Sequence, residues 1–262
     1  MADKKKRAGR HKEAPGLANE RKLLLSSSSG FYTREAYKAL RTNVTFSLSE
    51  VTGCRVITVT SALRNEGKSL TSLNLAISYA MAEQRVLLID CDLRLAKVYR
   101  LLQLPNTEGL TDVLMDPSLL DRAIHHSETH GIDVLLTGSI PPNPSELLGS
   151  RRMAQVLETC RQRYDYIILD SPPVNLVTDP AVLIPQSDGA LFVVRAGQSE
   201  RGSVMSAVSQ LELVDAKILG FVLNGIDSST GNRYGKYRYG KYYRRGYYGY
   251  GYGRTPSEKS DG

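Results

Sequence analysis

Short apolar runs rich in β-branched residues alternate with longer amphipathic segments along this chain, and this alternation constrains the fold most strongly. Strands that are apolar on both faces and separated by helices indicate a parallel sheet covered on both sides. We therefore predict an α/β fold with a doubly wound, mostly parallel sheet, which binds ligands at the carboxyl ends of its strands. The predicted strands are residues 56–60, 86–90, 132–136, 166–170, 190–194 and 218–223. The predicted helices between them are residues 68–82, 145–163, 177–185 and 201–214.

The net charge of +7 belongs to the two ends of the 262-residue chain. Residues 1–22 carry eight basic and three acidic groups, and residues 231–262 carry eight basic and two acidic groups. The segment between them, 23–230, has 18 basic and 22 acidic groups. A mildly acidic body argues against a domain that binds nucleic acid specifically in a groove. Basic ends suit an anionic membrane surface, an acidic partner or solubility.

Composition divides the chain into a predicted disordered basic leader (1–30), a central α/β domain (31–230) and a flexible tyrosine-rich tail (231–262). Between residues 231 and 253 there is no aliphatic side chain, so this segment cannot build a core to offset its ordering entropy. Nine of the fifteen tyrosines lie there, interleaved with Gly, Arg and Lys. They are Tyr234, Tyr237, Tyr239, Tyr242, Tyr243, Tyr247, Tyr248, Tyr250 and Tyr252. The composition leaves open a solvated tail, an RNA-stacking surface or a set of phosphorylatable hydroxyls.

No apolar run approaches the ~20 residues that a membrane-crossing helix needs. The longest runs are only a few residues long, as at 86–89. The three cysteines are scattered and form no paired motif, so neither a disulfide framework nor a zinc site is indicated. These features predict a cytoplasmic protein.

The most specific motif is Gly67-Lys68-Ser69, placed between an apolar strand with its loop and an amphipathic helix. In this context backbone N–H groups and the helix dipole bind phosphates, Lys68 reaches the β- and γ-phosphates, and Ser69 offers a hydroxyl to Mg²⁺. The first glycine of the usual G-x-x-x-x-G-K-[ST] pattern is Ala62 here. The motif predicts a P-loop NTPase-like fold that binds ATP and Mg²⁺. The predicted nucleotide-binding residues are Ser61, Ala62, Asn65, Glu66, Gly67, Lys68, Ser69 and Leu70.

Acidic residues end two of the predicted strands. Asp90 and Asp92 complete the strand at 86–90, and Asp170 completes the strand at 166–170. Two residues apart in extended chain, Asp90 and Asp92 share a face at about 6–7 Å. Carboxylates beside a phosphate loop are the hard oxygen ligands that Mg²⁺ prefers. We predict a metal site of Ser69, Asp90, Asp92 and Asp170, and a catalytic set of Lys68, Asp90, Asp92 and Asp170.

Together these motifs resemble the bacterial tyrosine kinases (BY-kinases) of capsule and exopolysaccharide synthesis. The D-x-D-x-R motif spans residues 90–94, Glu66 precedes Gly-Lys-Ser, and Ile-Leu-Asp-Ser-Pro-Pro spans residues 168–173. The phosphate loop departs from the family at residues 63–65, where Leu-Arg-Asn replaces a Pro/Gly-containing stretch. The resemblance implies an ATP-dependent autokinase that phosphorylates its tail tyrosines in trans, and other proteins. It assigns Asp90 and Asp92 to metal binding and activation of the substrate tyrosine, and Asp170 to metal support.

The family also carries an E-x-x-R-x-x-R subunit-contact motif on an early helix. Here its positions are Glu35, Lys38 and Arg41, and Lys38 keeps the charge of the usual Arg without its bidentate geometry. The resemblance implies a homo-oligomeric ring and a separate-chain type of kinase. Its implied partners are a membrane-embedded activator or polysaccharide chain-length protein, a cognate tyrosine phosphatase and protein substrates. It would be peripheral at the inner face of the plasma membrane, through that activator.

Two other functions compete with this interpretation. One is a partition or septum-placement ATPase on the same fold, although such relatives carry an additional Lys early in the loop, and the loop here opens Ser61-Ala62-Leu63. The other is an RNA-binding module that acts through the Tyr/Gly/Arg tail. Phosphotyrosine in 234–252 after incubation with Mg²⁺-ATP indicates the kinase, and free phosphate alone indicates the ATPase. The absence of both products favours the RNA-binding module.

Overall fold

A seven-stranded sheet forms the centre of the computed structural model, which describes residues 15–226. Its strands run in the order β3-β4-β2-β5-β1-β6-β7, and every neighbouring pair is parallel except β3 and β4. The sheet confirms the predicted α/β fold. The strands are β1 (Arg55–Ser61), β2 (Val86–Asp90), β3 (Ile124–Ser127), β4 (Ile132–Leu135), β5 (Tyr166–Asp170), β6 (Gly189–Arg195) and β7 (Ile218–Asn224).

Ten helices connect or flank these strands within residues 15–226. No helix in that part of the chain is both long enough and apolar enough to span a membrane. The helices are α1 (Pro15–Arg21), α2 (Phe31–Ser47), α3 (Lys68–Ala80), α4 (Val98–Leu102), α5 (Leu110–Met115), α6 (Leu120–Ala123), α7 (Pro144–Leu148), α8 (Arg151–Arg161), α9 (Asp179–Leu183) and α10 (Arg201–Glu212).

The central strands are buried on both faces because each face supports its own core. Every residue of β2 and β5 is buried. Leu88 and Ile168 pack into one hydrophobic cluster, whereas their chain neighbours Leu87 and Ile167 pack into another. Successive side chains of a strand point to opposite faces, so helices must cover both sides. This arrangement brings the carboxyl ends of β1, β2 and β5 to one edge.

Two details of the predicted secondary structure are wrong. The helix predicted over 145–163 is interrupted at Gly149 and Ser150 and forms α7 and α8. Ser150 stops and restarts the helix, because its Oγ accepts a hydrogen bond from the Met153 N–H at 3.3 Å as an N-cap. The polar strand β3, Ile-His-His-Ser, pairs antiparallel with β4 and lacks an apolar pattern that would predict it.

The predicted disordered leader is ordered from residue 15 onward, so that prediction is wrong for residues 15–30; residues 1–14 lie outside the described part. We call residues 15–30 the strap. Leu25 of the strap is 2% exposed, and Asn74 of α3 fixes the backbone on either side. Asn74 Oδ1 accepts from the Leu25 N–H at 2.7 Å, and Asn74 Nδ2 donates to the Leu23 carbonyl at 3.0 Å. Burial of Leu25, with Leu17 and Leu24 packed against the same core, offsets the entropy of ordering the strap.

We expect Asn74→Ala to lower the free energy of unfolding by about 1–3 kcal/mol, because it leaves a buried backbone N–H and a carbonyl without their partner. Urea denaturation followed by circular dichroism measures the change. Asn43→Ala, on the exposed face of α2, is the matched control and should change stability by less than about 0.5 kcal/mol. Equal effects of the two substitutions would show that Asn74 does not hold the strap.

Candidate active site

The loop between β1 and α3 has the backbone shape of a phosphate-binding loop. Gly67 has a φ of +96° and Asn65 a φ of +63°, so the chain makes two left-handed residues just before the helix. A Cβ at Gly67 would lie 1.9 Å from the Nδ2 atom of Asn224 at the end of β7. Only glycine satisfies both the positive φ and this close approach.

The first turn of α3 offers unpaired hydrogen-bond donors. The Thr71 N–H makes the first helical bond, to the Gly67 carbonyl at 2.9 Å. The N–H groups of Lys68, Ser69 and Leu70 come before it in the helix and have no i−4 carbonyl to bind. With the helix dipole, they form a site suited to a phosphate.

Ala62, which replaces the usual first glycine, is fully buried in a small core with Phe192 and Val174. Ser61 and Ala62 also accept backbone hydrogen bonds, from Val174 at 2.9 Å and Asn175 at 3.3 Å. The loop therefore begins as a packed continuation of β1. The methyl group at Ala62 contributes to this packing.

Side chains from a neighbouring loop hold the phosphate loop in place. The buried Glu66 carboxylate accepts from the Leu63 N–H at 2.7 Å and from the Ser199 hydroxyl. Arg195 Nη1 donates to the Asn65 carbonyl at 3.2 Å. Sequence reasoning missed Arg195, which ends β6, and Ser199, which follows it; neither belongs to a recognisable motif. The contacts preform the loop.

Lys68 begins α3 and is only 8% exposed, yet it joins none of the ion pairs among residues 15–226. Burial lowers the pKa of its ammonium, and the negative charges of Asp170, Asp92 and Glu66 oppose that shift. A buried cation with acidic neighbours at a distance suits a ligand that brings its own negative charge.

Asp90 and Asp170 end adjacent strands and stand opposite each other in the register of β2 and β5. Both are buried, at 0% and 1% exposure. Burial raises the pKa of Asp170 to about 6, against hydrogen bonds from Ser69 and Ser72 that lower it. Burial, with the charges of Asp170 and Asp92, also raises the pKa of Asp90 well above its ordinary value. The Asp90 carboxylate accepts from the Asp92 N–H at 3.2 Å and the Val98 N–H at 3.3 Å.

Asp92 lies in the loop after β2 and is partly buried. Its Oδ1 accepts from the Leu95 N–H at 2.9 Å, which fixes the side chain against its own loop. The same loop carries Arg94, which binds the carboxylate of Asp179 through two nitrogens at 2.8 and 2.9 Å. Sequence reasoning quoted Arg94 within its motif without a role and missed Asp179.

Ser69, Asp90, Asp92 and Asp170 supply the hard oxygen atoms that Mg²⁺ requires. No group of three His, Cys, Asp or Glu residues in the described part is arranged to hold a metal by itself. A P-loop site does not need such a group, because the serine hydroxyl, one carboxylate, water and phosphate oxygens complete the coordination. The donor chemistry and the raised carboxylate pKa values therefore fit a nucleotide-bound Mg²⁺.

The predicted subunit-contact residues lie on α2, apart from this edge. Lys38 pairs with Glu35 at 2.7 Å, and Arg41 Nη1 donates to the Ser78 carbonyl of α3. Ser78 is ten residues beyond Lys68, about 15 Å along the helix. The nine tail tyrosines lie outside the described residues.

Comparisons with known proteins agree on one family. A family model described as AAA domain matches residues 54–211. The tyrosine-protein kinase YwqD of Bacillus subtilis (strain 168) is 37% identical over 222 residues, which cover 85% of this chain and 93% of that protein. The tyrosine-protein kinase etk of Escherichia coli (strain K12) is 36% identical over 76% of this chain, but the match spans only 27% of etk. The solved kinase domain of the Escherichia coli tyrosine kinase ETK superposes with a TM-score of 0.71, covering 74% of this chain and 76% of that one at 36% identity.

We expect Asp170→Asn to stabilise the nucleotide-free protein at pH 7.5 by on the order of 2 kcal/mol. The folded-state pKa of about 6 lies above the ordinary 3.8, so the folded state binds more protons between these values and wild-type stability falls as pH rises from 4 to 6. Asparagine does not ionise, so the variant keeps the free energy of unfolding that the wild type loses over this pH range. Urea denaturation in EDTA between pH 4 and 8 measures it.

Asp165→Asn is the control with opposite sign, because hydrogen bonds from Arg85 lower the pKa of Asp165. This variant should not gain stability at pH 7.5. If the free energy of unfolding of Asp170→Asn depends on pH in the same way as that of the wild type, ionisation of Asp170 is not the cause of the expected loss of stability.

Proposed function

The chain belongs to the bacterial tyrosine-protein kinases, and on this premise we propose that it transfers phosphate from ATP to tyrosines of its own tail, residues 234–252, and of other proteins. The observation that carries the proposal is the buried Lys68 ammonium beside two adjacent buried carboxylates at the end of a preformed phosphate loop. A site of this composition binds Mg²⁺-nucleotide and stabilises charge on a transferred phosphoryl group.

Each residue of the site has a role in this reaction. The N–H groups at the start of α3 and the Lys68 ammonium bind the nucleotide phosphates. Ser69, Asp90 and Asp170 hold Mg²⁺, which supplies positive charge against the phosphates when bound. Glu66 keeps the loop in its binding shape through Leu63 and Ser199.

Asp92 is the residue that receives the proton. A tyrosine hydroxyl has a pKa near 10 and is a poor nucleophile at neutral pH. As its oxygen bonds to the γ-phosphorus and the bond to ADP breaks, the hydroxyl proton passes to the Asp92 carboxylate. Asp92 suits this role because, unlike Asp90 and Asp170, it is only partly buried and is reachable from outside the sheet.

Transfer in trans within a homo-oligomeric ring is compatible with the tail. The tail that carries the nine tyrosines has eight basic and two acidic groups, so its charge complements an acidic site that contains Asp90, Asp92 and Asp170. Glu35, Lys38 and Arg41 on α2 are the proposed contact between subunits.

The proposed cellular role is control of capsular or exopolysaccharide synthesis or export. The matched segment is 27% of etk. In etk, therefore, the segment that resembles this chain is part of a longer polypeptide. We assign the corresponding activating role here to a membrane-embedded partner that brings the kinase to the inner face of the plasma membrane. A cognate phosphatase would reverse the phosphorylation.

We expect Lys68→Met to reduce tail autophosphorylation at least 100-fold without lowering stability. Methionine has a similar length and fills the same buried space without a desolvated charge. Mass spectrometry of residues 234–252 after incubation with Mg²⁺-ATP measures phosphotyrosine. Lys217→Met, at an exposed position before β7, is the control and should retain wild-type activity.

The same measurement distinguishes the competing functions. Free phosphate without phosphotyrosine in the wild type would indicate an ATPase, and the absence of both products would favour the binding module. Phosphotyrosine retained in Lys68→Met would remove Lys68 from the phosphate site.

We expect Glu35→Arg to shift the assembly toward monomers, because it gathers three cations along one face of α2 and removes the acidic group of the contact. Nucleotide affinity should stay within two-fold of wild type, since α2 lies apart from the phosphate loop. Sedimentation velocity measures the assembly. Glu50→Arg, exposed just beyond α2, is the control; identical sedimentation of the two variants would argue against the α2 interface.

A further inference from the structure

One fully buried carboxylate, at the start of α9, joins α9 to the loop after β2 and to α7 at the carboxyl edge of the sheet. Asp179 has no exposed side-chain surface. Arg94 Nε donates to its Oδ2 at 2.8 Å, Arg94 Nη2 donates to its Oδ1 at 2.9 Å, and the Ser145 hydroxyl also donates to Oδ1. We call Arg94, Ser145 and Asp179 the clamp.

The clamp connects segments that are distant in sequence. Arg94 follows β2, Ser145 follows β4 and Asp179 follows β5. A buried carboxylate is costly unless strong donors surround it, and a bidentate guanidinium is the strongest such partner among side chains. Apolar side chains would fill the same space at lower cost. The Arg94 side chain is 39% exposed, but the Asp179 side chain is fully buried. Placing a carboxylate here therefore argues for a defined geometry more than for stability.

The geometry that the clamp fixes is that of the loop carrying Asp92. Within this loop, Asp92 is bound through its N–H to Asp90 and through its Oδ1 to the Leu95 N–H. The first contact joins the backbone of Asp92 to the end of β2, and the second, which holds the carboxylate, lies within the loop. Arg94, two residues beyond Asp92, attaches the loop to the segment that follows the Asp170 strand.

We propose that Arg94, Asp179 and Ser145 are positioning residues that hold the Asp92 carboxylate where it receives the proton of the acceptor tyrosine. The inference rests on the proposed kinase function for its consequence in catalysis. The clamp touches neither nucleotide-binding residue Lys68 nor Ser69, so its loss affects proton transfer and leaves nucleotide binding intact.

The chain contains a matched control at the opposite ends of the same two strands. Arg85 precedes β2 and Asp165 precedes β5, and they form an equally bidentate pair at 2.7 and 3.2 Å. The Arg85 pair lies at the other edge of the sheet and is the more exposed, because the Asp165 side chain is 34% exposed and the Asp179 side chain is 0% exposed. Arg94→Lys and Arg85→Lys both keep the charge and lose the bidentate geometry.

The experiment is a double-variant cycle on the full chain, with phosphotyrosine formation as the rate and fluorescent ADP as the binding probe. We expect Arg94→Lys to lower kcat at least ten-fold with the Kd for ADP within two-fold, and Arg85→Lys to change neither. Asp92→Asn should lower kcat strongly in the wild type but less than three-fold in the Arg94→Lys background, because both changes remove the same contribution.

Two outcomes overturn the inference. The first is equal kcat values for Arg94→Lys and Arg85→Lys. The second is a double variant whose fold-reduction in kcat equals the product of the reductions caused by Arg94→Lys and Asp92→Asn alone. Ser145→Ala is a milder second variant, since it removes one donor and keeps the ion pair. Ser145→Ala should lower kcat by a smaller factor than Arg94→Lys does. An unchanged kcat would show that Ser145 is not part of the clamp.

Hydrogen exchange separates the clamp from the kinase function. The Leu95 N–H is protected by Asp92 Oδ1, so its exchange in the nucleotide-free protein should accelerate at least ten-fold in Arg94→Lys and stay unchanged in Arg85→Lys. Equal exchange in the two variants refutes the clamp. Absence of tyrosine phosphorylation in the wild type refutes the proposed function, while the exchange result still tests whether the clamp orders the loop.

Discussion

Two carboxylates buried side by side, Asp90 and Asp170, are the constraint on which the rest of the site depends. They lie opposite each other on neighbouring strands, at a separation set by the ~4.8 Å strand spacing. Burial raises the pKa of both groups, so their ionised forms are costly without a compensating cation. The site is therefore arranged to receive positive charge, and a divalent ion with its nucleotide supplies it.

Helix α3 links this site to the outer parts of the domain. Its first turn supplies Lys68 and the phosphate-facing N–H groups, Asn74 in its middle holds the strap, and the Ser78 carbonyl near its end accepts Arg41 of α2. One rigid helix thus contacts the nucleotide site, the strap and the proposed subunit contact. A change of quaternary contact at α2 has a direct mechanical connection to the phosphate loop.

Sequence patterns predicted the parts of this structure that depend on local order. The predicted ends of the buried strands agree with the structure to within two residues. A continuous apolar run of about five residues between two helical patterns indicates a buried strand. The phosphate loop and the strand-end carboxylates followed from spacing. Asp179 could not be predicted, since its role depends on Arg94, 85 residues away. The strap was assigned to disorder because the side chain that holds its backbone, Asn74, lies 49 residues beyond Leu25.

The central position of β1 also bears on how the domain is made. β1 pairs only with β5 and β6, and the Thr60 hydroxyl at its end bonds the Pro172 carbonyl, 112 residues later in the chain. Contacts of such long sequence separation form slowly, because loop closure precedes any gain from pairing. During synthesis the sheet around the nucleotide site therefore cannot close until the chain has been made as far as β5 and β6, the two strands that flank β1.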